Sequence, residues 1–267
     1  MKAEAATYAG MAFALTVLVA CAGAPESPGP VDAAMGVGVT RDPAARSAPI
    51  AGFLTPEMTP DATAIIPPAP QVSEARNDAD WKIFRDTRAI QTVNPDRWAL
   101  AVNDDDYRPA AILKDFSCAM GVDLTPGNSP KLWAVLSRAA QDAANAAAKT
   151  KDVYKRTRPF MHNYGDVCIA RSESLMRSYD YPSGHASASW VQGLILSQLA
   201  PDRAERLLAR ARAYGESRIV CGVHNWSAVE AARTNAAGVY AAPHSSHEFL
   251  DAMAKARVEV DAARKGK

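Results

Sequence analysis

The chain has 267 residues and a formal net charge of +1, with 48% hydrophobic and 22% charged residues. This length and hydrophobic content are enough for a sizeable buried core. The nearly balanced charge argues against a protein that coats nucleic acid or another polyanion, so no nucleic-acid partner is expected. Abundant alanine and the lack of alternating β-branched runs favour an all-α fold.

Residues 1–20 have the features of a secretory signal peptide. Lys2 precedes an apolar run, Met11 to Ala20, which is short for a transmembrane helix. The following LVAC, ending at Cys21, resembles a bacterial lipobox, in which Cys21 would be lipidated after cleavage. Ordinary cleavage nearby is the alternative. Both predict an exported, periplasmic protein, and the lipobox adds an anchor that holds it at the membrane.

Residues 21–70 are predicted to be a Pro/Ala-rich tether. They contain ten of the eighteen prolines, with Gly, Ala and Ser between them, and cannot build a core. The last part, IIPPAP at 65–70, is more apolar and is expected on the domain surface. The helical domain is predicted to span residues 71–267.

Helical spacing dominates the predicted domain. A helix is expected over 73–92, a break in NPDRWALAVNDDD, and a second helix in YRPAAILKDFSCAMGV. Ser129 as N-cap and Pro130 at the first position predict a long helix that runs to Arg158 and ends because of Pro159. Further helices are expected after PSGH and after Pro201.

Two Ser-x-x-Glu patterns predict the starts of the last two helices. Ser227 with Glu230, and Ser245 with Glu248, have the spacing of capping boxes. With the preceding segments they predict an all-α helical bundle.

Lys151 and Arg158 stand seven residues apart in the predicted long helix. Seven residues are close to two turns, so both side chains are expected on one face, about 10 Å apart along the axis. Such a pair is usually a solvated helix face, and it indicates a binding site only in combination with other residues.

The stretch Pro-Ser-Gly-His, residues 182–185, lies where a loop is expected to enter a helix. Free N–H groups and the helix dipole favour an anion there, and Gly184 lets the backbone approach it closely. Taken alone, Ser183 is equally well explained as a cap and His185 as a structural residue.

Arg218 and His224 flank the segment IVCGV, in which Gly222 is expected to end a helix. Two arginines and Lys151 can together bind the three non-bridging oxygens of a phosphoryl group. Of the two histidines, one can attack phosphorus while the other protonates the leaving oxygen. Because no zinc-type ligand spacing is present, the combination points to phosphoryl transfer without a metal.

Three motifs in this order resemble a known signature. Lys-x6-Arg-Pro (151–159), Pro-Ser-Gly-His (182–185) and Ser-Arg-x5-His (217–224) are similar to the three-part motif of the type 2 phosphatidic acid phosphatase superfamily, which also holds the vanadium haloperoxidases. Within it, residues 65–255 resemble the soluble, exported class A bacterial non-specific acid phosphatases.

The resemblance implies an all-α fold, no cofactor, and small phosphomonoesters as substrates. It implies a phosphohistidine intermediate on His224 and His185 as the general acid, and hence an acidic pH optimum. The residues it implies for phosphate binding are Lys151, Arg158, Ser183, Gly184 and Arg218.

One position departs from the family pattern. The signature ends with an Asp four residues after the nucleophilic His, where the carboxylate fixes the imidazole. Here that position is Ala228. Glu230 is a poor replacement because it lies roughly 200° further round a helix. Asn225 is nearer in sequence. The substitution predicts a slow enzyme, because the usual orienting group of His224 is missing.

The cysteines other than Cys21 predict one disulfide and one spare thiol in an oxidising compartment. Cys168 follows the Arg-Pro motif and Cys221 precedes His224 by three residues, so both are expected near the site. We predict a Cys168–Cys221 pair, with Cys118 spare.

Three alternatives to an acid phosphatase stay open. A vanadate-dependent haloperoxidase would use the same residues for vanadate, although such proteins are usually much larger. A lipid phosphatase would need the domain held at a membrane. A phosphate- or phosphoester-binding protein of low or no activity is suggested by Ala228. A homo-oligomer also stays an alternative to the monomer.

Overall fold

A computed structural model of the chain describes residues 50–162 and 165–266, apart from the side chain of Pro109. The predicted signal peptide, Cys21 and residues 21–49 lie outside the described residues. Helices make up the described part, which contains no strand. None of the helices in this part is both long and apolar enough to cross a bilayer.

The helices are named here in chain order: α1 (Ala75–Arg88), α2 (Ile90–Val93), α3 (Pro95–Asn103), α4 (Pro109–Met120), α5 (Pro130–Tyr154), α6 (Glu173–Arg177), α7 (Gly184–Leu199), α8 (Ala204–Val220), α9 (Trp226–Ala241) and α10 (His247–Lys265). Short 3₁₀ turns lie at Ala62–Ala64, Pro159–Met161, Pro201–Arg203 and Ala242–Ser245.

Helix α7 is the centre of the bundle. It packs against α5, α8 and α9, and it buries side chains all around its circumference, which explains its apolar sequence. The main core is formed by apolar residues of α4, α5, α7, α8 and α10. The predicted all-α bundle is confirmed.

Residues 50–70, here called the strap, belong to the helical domain. Phe53 is buried with its ring 5.0 Å from that of Phe249, and its N–H donates to the Asp142 carboxylate at 2.8 Å. Further along, Ile66 and Ala69 are buried against Tyr181. The predicted boundary between tether and domain, at residue 71, is therefore too late.

Two helix predictions differ from the structure near the N-terminal end of the domain. The predicted helix at 73–92 is interrupted at Ala89, between α1 and α2. The segment NPDRWALAVNDDD is mainly helix α3, not a break. Asn94 caps this helix by accepting from the N–H of Arg97 at 3.1 Å, and Pro95 occupies the first position.

The predicted capping boxes are also wrong. Asn225 is the N-cap of α9, so Ser227 lies inside the first turn and donates its hydroxyl to Asp80 at 2.5 Å. Helix α10 likewise begins after Ser246, and Glu248 pairs with Arg138 at 2.5 Å instead of capping. In both cases a carboxylate or arginine from another element binds the group that the local pattern assigned to the cap.

Candidate active site

The start of helix α7 presents the Ser-Gly-His sequence. Ser183 is the N-cap, and its hydroxyl oxygen accepts from the N–H of Ala186 at 3.3 Å. A Cβ built on Gly184 would have no neighbouring heavy atom within 4 Å, so open space borders the helix N-terminus. His185 follows at the first turn. This sixteen-residue helix directs its dipole and free N–H groups toward that space.

His185 lies against the connection between α3 and α4. Its Nε2–H donates to the backbone carbonyl of Asp105 at 3.1 Å, and the Asp105 carboxylate lies 3.8 Å away. The ring of Tyr107, 49% exposed, lies with its centroid 4.2 Å from the imidazole. The sequence predicts no role for Asp105 or Tyr107, because neither residue belongs to a motif.

Arg218 joins this side of the site. Its Nη2 donates to the Asp105 carboxylate at 3.0 Å, while the side chain is almost completely buried. The Nε and Nη1 groups of Arg218 have no hydrogen-bond partner among the described residues. Buried guanidinium donors without a partner cost free energy, and an oxyanion is the ligand that satisfies them.

Lys151 and Arg158 do not share one helix, contrary to the sequence-based expectation. Helix α5 ends at Tyr154 because Lys155 takes a left-handed conformation, with φ of 46°, and Arg158 follows in extended backbone. The two side chains still meet at Ser178. Its hydroxyl is 3.4 Å from Lys151 Nζ and 3.1 Å from Arg158 Nη2. The convergence therefore depends on the loop before α7 and not on helical periodicity.

His224 is buried beside Arg158. The guanidinium Nη1 lies 2.9 Å from His224 Nε2 and donates to it, and the same Nη1 donates to the carbonyl of Val223 at 2.8 Å. On the opposite edge of the ring, His224 Nδ1 lies 2.8 Å from the Asp180 carboxylate. Both ring nitrogens are thus partnered.

Asp180 is a further residue of the site that none of the three motifs predicts. It is fully buried two positions before Pro182, and it accepts from the backbone N–H of Asn225 at 3.2 Å and from its side-chain amide at 2.8 Å. Arg156 lies 3.6 Å away and also binds Asp80 at 2.8 Å. The signal available in the sequence is an Asp two residues before the Pro-Ser-Gly-His motif, in a chain that has Ala228 at the position of the usual Asp.

Ala228 is fully buried in the first turn of α9. Its backbone carbonyl accepts from the N–H of Ser183 at 3.0 Å. Its side chain belongs to an apolar cluster with Tyr181 and residues of the strap. Asn225, considered as a substitute for the missing Asp, contacts Asp180 with its side chain and not the His224 ring.

Cationic side chains lie around the two histidines, and they add to the effect of burial on the pKa values of the site. Burial lowers the pKa of His224 well below its usual value, and Arg158, Lys151 and Arg218 lower it further. Burial and then Arg218 likewise depress the pKa of His185. Burial and Arg158 lower the pKa of Lys151 to about 7. Lys151, Arg158 and Arg218 therefore all lie within electrostatic reach of His224, an arrangement that favours an anionic ligand.

The predicted Cys168–Cys221 disulfide is confirmed, with Cα atoms 4.6 Å apart. The N–H of Cys168 also donates to the carbonyl of Cys221 at 3.0 Å, so the loop after the Arg-Pro motif is fastened to the segment that precedes His224. Cys118 is exposed on α4 and takes no part in this bond. Within 50–162 and 165–266, His, Cys, Asp and Glu form no cluster able to hold a metal ion.

Known proteins resemble the chain in sequence over most of the described part. The model of the PAP2 superfamily matches residues 130–247. An acid phosphatase from Zymomonas mobilis is 36% identical over 198 residues, 74% of each chain. Non-specific acid phosphatases from Providencia stuartii and Salmonella typhi are each 31% identical, over 78% of this chain and 84% of theirs.

Proposed function

The chain belongs to the non-specific acid phosphatases of the PAP2 superfamily, and we propose that it is an exported phosphatase that hydrolyses small phosphomonoesters through a phosphohistidine on His224. The observation that carries the proposal is the buried Arg218, whose Nε and Nη1 lack partners among the described residues beside the open start of α7. A substrate phosphoryl group satisfies those donors.

Binding would use both halves of the positive site. Arg218 and the N-terminus of α7 act from one side, with Lys151 and Arg158 from the other. Burial lowers the pKa of Arg158 to about 10, so this residue stays charged at the acidic pH values where the enzyme is expected to work. Ser183 and Gly184 add donors at the helix start.

In the first step the His224 Nε2 lone pair attacks phosphorus. A P–N bond forms, the P–O bond to the leaving group breaks, and the leaving oxygen takes a proton from His185. In the second step His185 accepts a proton from water, whose oxygen attacks phosphorus and breaks the P–N bond. Inorganic phosphate and both histidines in their starting states result. The substrate phosphoryl group would replace the contact between Arg158 Nη1 and His224 Nε2.

The lowered pKa values make the pH dependence asymmetric. His224 must be neutral to attack, and its lowered pKa keeps it neutral into the acid range. His185 must be protonated to donate, and its lowered pKa favours this only at acid pH, although an anion bound at Arg218 opposes part of the shift. The expected optimum is therefore acidic.

The predicted signal peptide supports export, and the proposal includes a periplasmic location and a lipid anchor at Cys21. A disulfide beside His224 is consistent with an oxidising compartment.

The test is hydrolysis of an aryl phosphate between about pH 4 and pH 8 in EDTA. We expect turnover under these conditions, and acid-labile phosphate attached to a peptide that contains His224 after rapid quenching. Activity lost on chelation and restored by one metal would refute the metal-independent mechanism. Phosphate binding without turnover of any phosphomonoester would favour the non-catalytic alternative.

A further inference from the structure

We propose that Asp180 is the positioning residue for His224, and that it supplies from the loop before α7 the carboxylate that the family signature supplies from the position of Ala228. The inference rests on the proposed function, since it concerns the same nucleophile. It rests on the contact of Asp180 with the Nδ1 edge of the imidazole.

The two contacts of the His224 ring define one tautomer. The Asp180 carboxylate, 2.8 Å from Nδ1, can only accept, so the proton is on Nδ1. The Arg158 guanidinium, 2.9 Å from Nε2, can only donate, so Nε2 carries the lone pair. The nitrogen that must attack phosphorus is therefore the one left unprotonated, before any substrate binds.

The groups around Asp180 favour its ionised form, although burial raises the pKa of this carboxyl. Its oxygens face the His224 ring, the two N–H groups of Asn225 and, at 3.6 Å, the Arg156 guanidinium. All of these are donors, so a protonated carboxyl would set its own O–H against another donor. Asp180 also lies at the N-terminal end of α9 in space, because it accepts from the N–H of the N-cap Asn225. The helix dipole favours negative charge there.

The carboxylate has a second task once phosphate is transferred. A ring phosphorylated at Nε2 and protonated at Nδ1 carries a positive charge. A buried carboxylate in contact with Nδ1 stabilises this charge where water cannot. This benefit is greater in the transition state than in the free enzyme, so its loss is expected to lower kcat rather than raise KM.

The packing explains why the chain does without an Asp at position 228. The Ala228 side chain lies in the apolar cluster with Tyr181, Ile66 and Ala69. Tyr181 follows Asp180 directly, so the same loop that covers Ala228 also brings a carboxylate to His224. Asp180 takes over the role of the missing Asp, and Tyr181 packs against the Ala228 side chain.

The experiment compares two buried carboxylates of the same network. Asp180→Asn is expected to lower the rate of enzyme phosphorylation and kcat by roughly 10²–10⁴, as for orienting carboxylates elsewhere, with a smaller change in KM. Asp80→Asn is the matched control, because Asp80 is equally buried and binds Arg156 but not His224. It should lower stability, while activity per folded molecule falls by less than about tenfold.

Ring-nitrogen NMR of ¹⁵N-histidine-labelled protein gives a readout that does not depend on any variant folding. In the wild type, His224 should show a protonated Nδ1 and an unprotonated Nε2 near neutral pH. In Asp180→Asn this preference should weaken. A wild-type ring protonated on Nε2 instead, or an Asp180→Asn variant with unchanged kcat, would overturn the inference.

A second variant tests whether the usual position still matters. Ala228→Asp should not raise the phosphorylation rate, because His224 Nδ1 already has its acceptor, and it should lower stability by placing a charge in the apolar cluster. A faster Ala228→Asp enzyme would mean that Asp180 is an inadequate orienter. If the wild type turns over no phosphomonoester, the proposed function fails, whereas an active wild type with an unaffected Asp180→Asn variant refutes only this inference.

Discussion

The two histidines of the site have opposite surroundings. The His224 side chain is 2% exposed and has a charged partner at each ring nitrogen, whereas the His185 side chain is 22% exposed and lies between a backbone carbonyl and the exposed ring of Tyr107. In the proposed mechanism His224 performs the same step for every substrate, so its ring can be fixed in advance. As the proposed acid, His185 would meet a different leaving group each time, and its position at the rim leaves space that can vary.

The largest effect is expected for a substitution of His224. His224→Ala should abolish turnover, because no other group can form the P–N bond, while binding of inorganic phosphate survives since Lys151, Arg158 and Arg218 remain. Single-turnover phosphorylation and phosphate calorimetry measure the two quantities. Residual turnover above the level of a mock preparation would show that His224 is not the nucleophile.

On the rim side, the loss should depend on the substrate. His185→Ala is expected to cost roughly 10²–10⁴ for an alkyl phosphate and much less for a nitrophenyl phosphate, because a good leaving group needs little protonation. The comparison is the ratio of kcat/KM for the two substrates in each protein. Equal losses for both would remove His185 from the role of general acid.

Two glycines of helix α7, Gly184 and Gly193, give a matched pair of variants. Gly184→Ala adds a methyl group to the open space at the helix start, so kcat/KM should fall roughly 10- to 100-fold, while stability is unchanged or rises by up to about 1 kcal/mol. Gly193→Ala should instead lower stability and leave kcat/KM nearly unchanged, since its Cβ would lie 2.5 Å from that of Ala211. Thermal unfolding and kinetics of both variants decide it. Full activity in Gly184→Ala would mean that phosphate binds elsewhere.

Anion binding should also weaken at high pH, because Lys151 near His224 loses its charge. Because the pKa of Lys151 is lowered to about 7, this ammonium loses its proton as pH rises through that value. Inhibition by sulfate, whose own charge is constant in this range, should therefore weaken above about pH 7. Lys151→Arg should keep its charge and lose this dependence. Identical pH profiles for the two proteins would place the titration on another group.

The smallest effect is expected at the rim. Tyr107 lies beside His185, where the proposed mechanism protonates the leaving group. Tyr107→Ala should therefore raise KM for aryl phosphates roughly two- to tenfold and leave alkyl phosphates nearly unchanged. Steady-state kinetics on the two substrate classes measures this. A uniform change for both would indicate that the ring positions His185 and does not contact the leaving group.

The sequence predicts the helical class and the helix that starts after Ser183, and it marks His224, His185 and Arg218 as candidate site residues. All of these depend on local patterns and motif spacing. It does not predict the contact of Asp180 with His224, since the two are 44 residues apart and meet only when the loop before α7 packs against the start of α9. The end of α5 was misplaced for a related reason, because the left-handed Lys155 has no Gly signal. Asp105 and Tyr107 lie in a segment with no motif at all.

The strap has a consequence for where proteolysis can occur without destabilising the domain. Phe53 is held by Asp142, Arg138 and Phe249, and Ile66 and Ala69 cover the cluster that contains Ala228. Fully burying one Phe side chain contributes about 1.5–3 kcal/mol, so a cut that releases the strap would lower the stability of the domain. Proteolysis that leaves these contacts of the strap intact should therefore cut before residue 50.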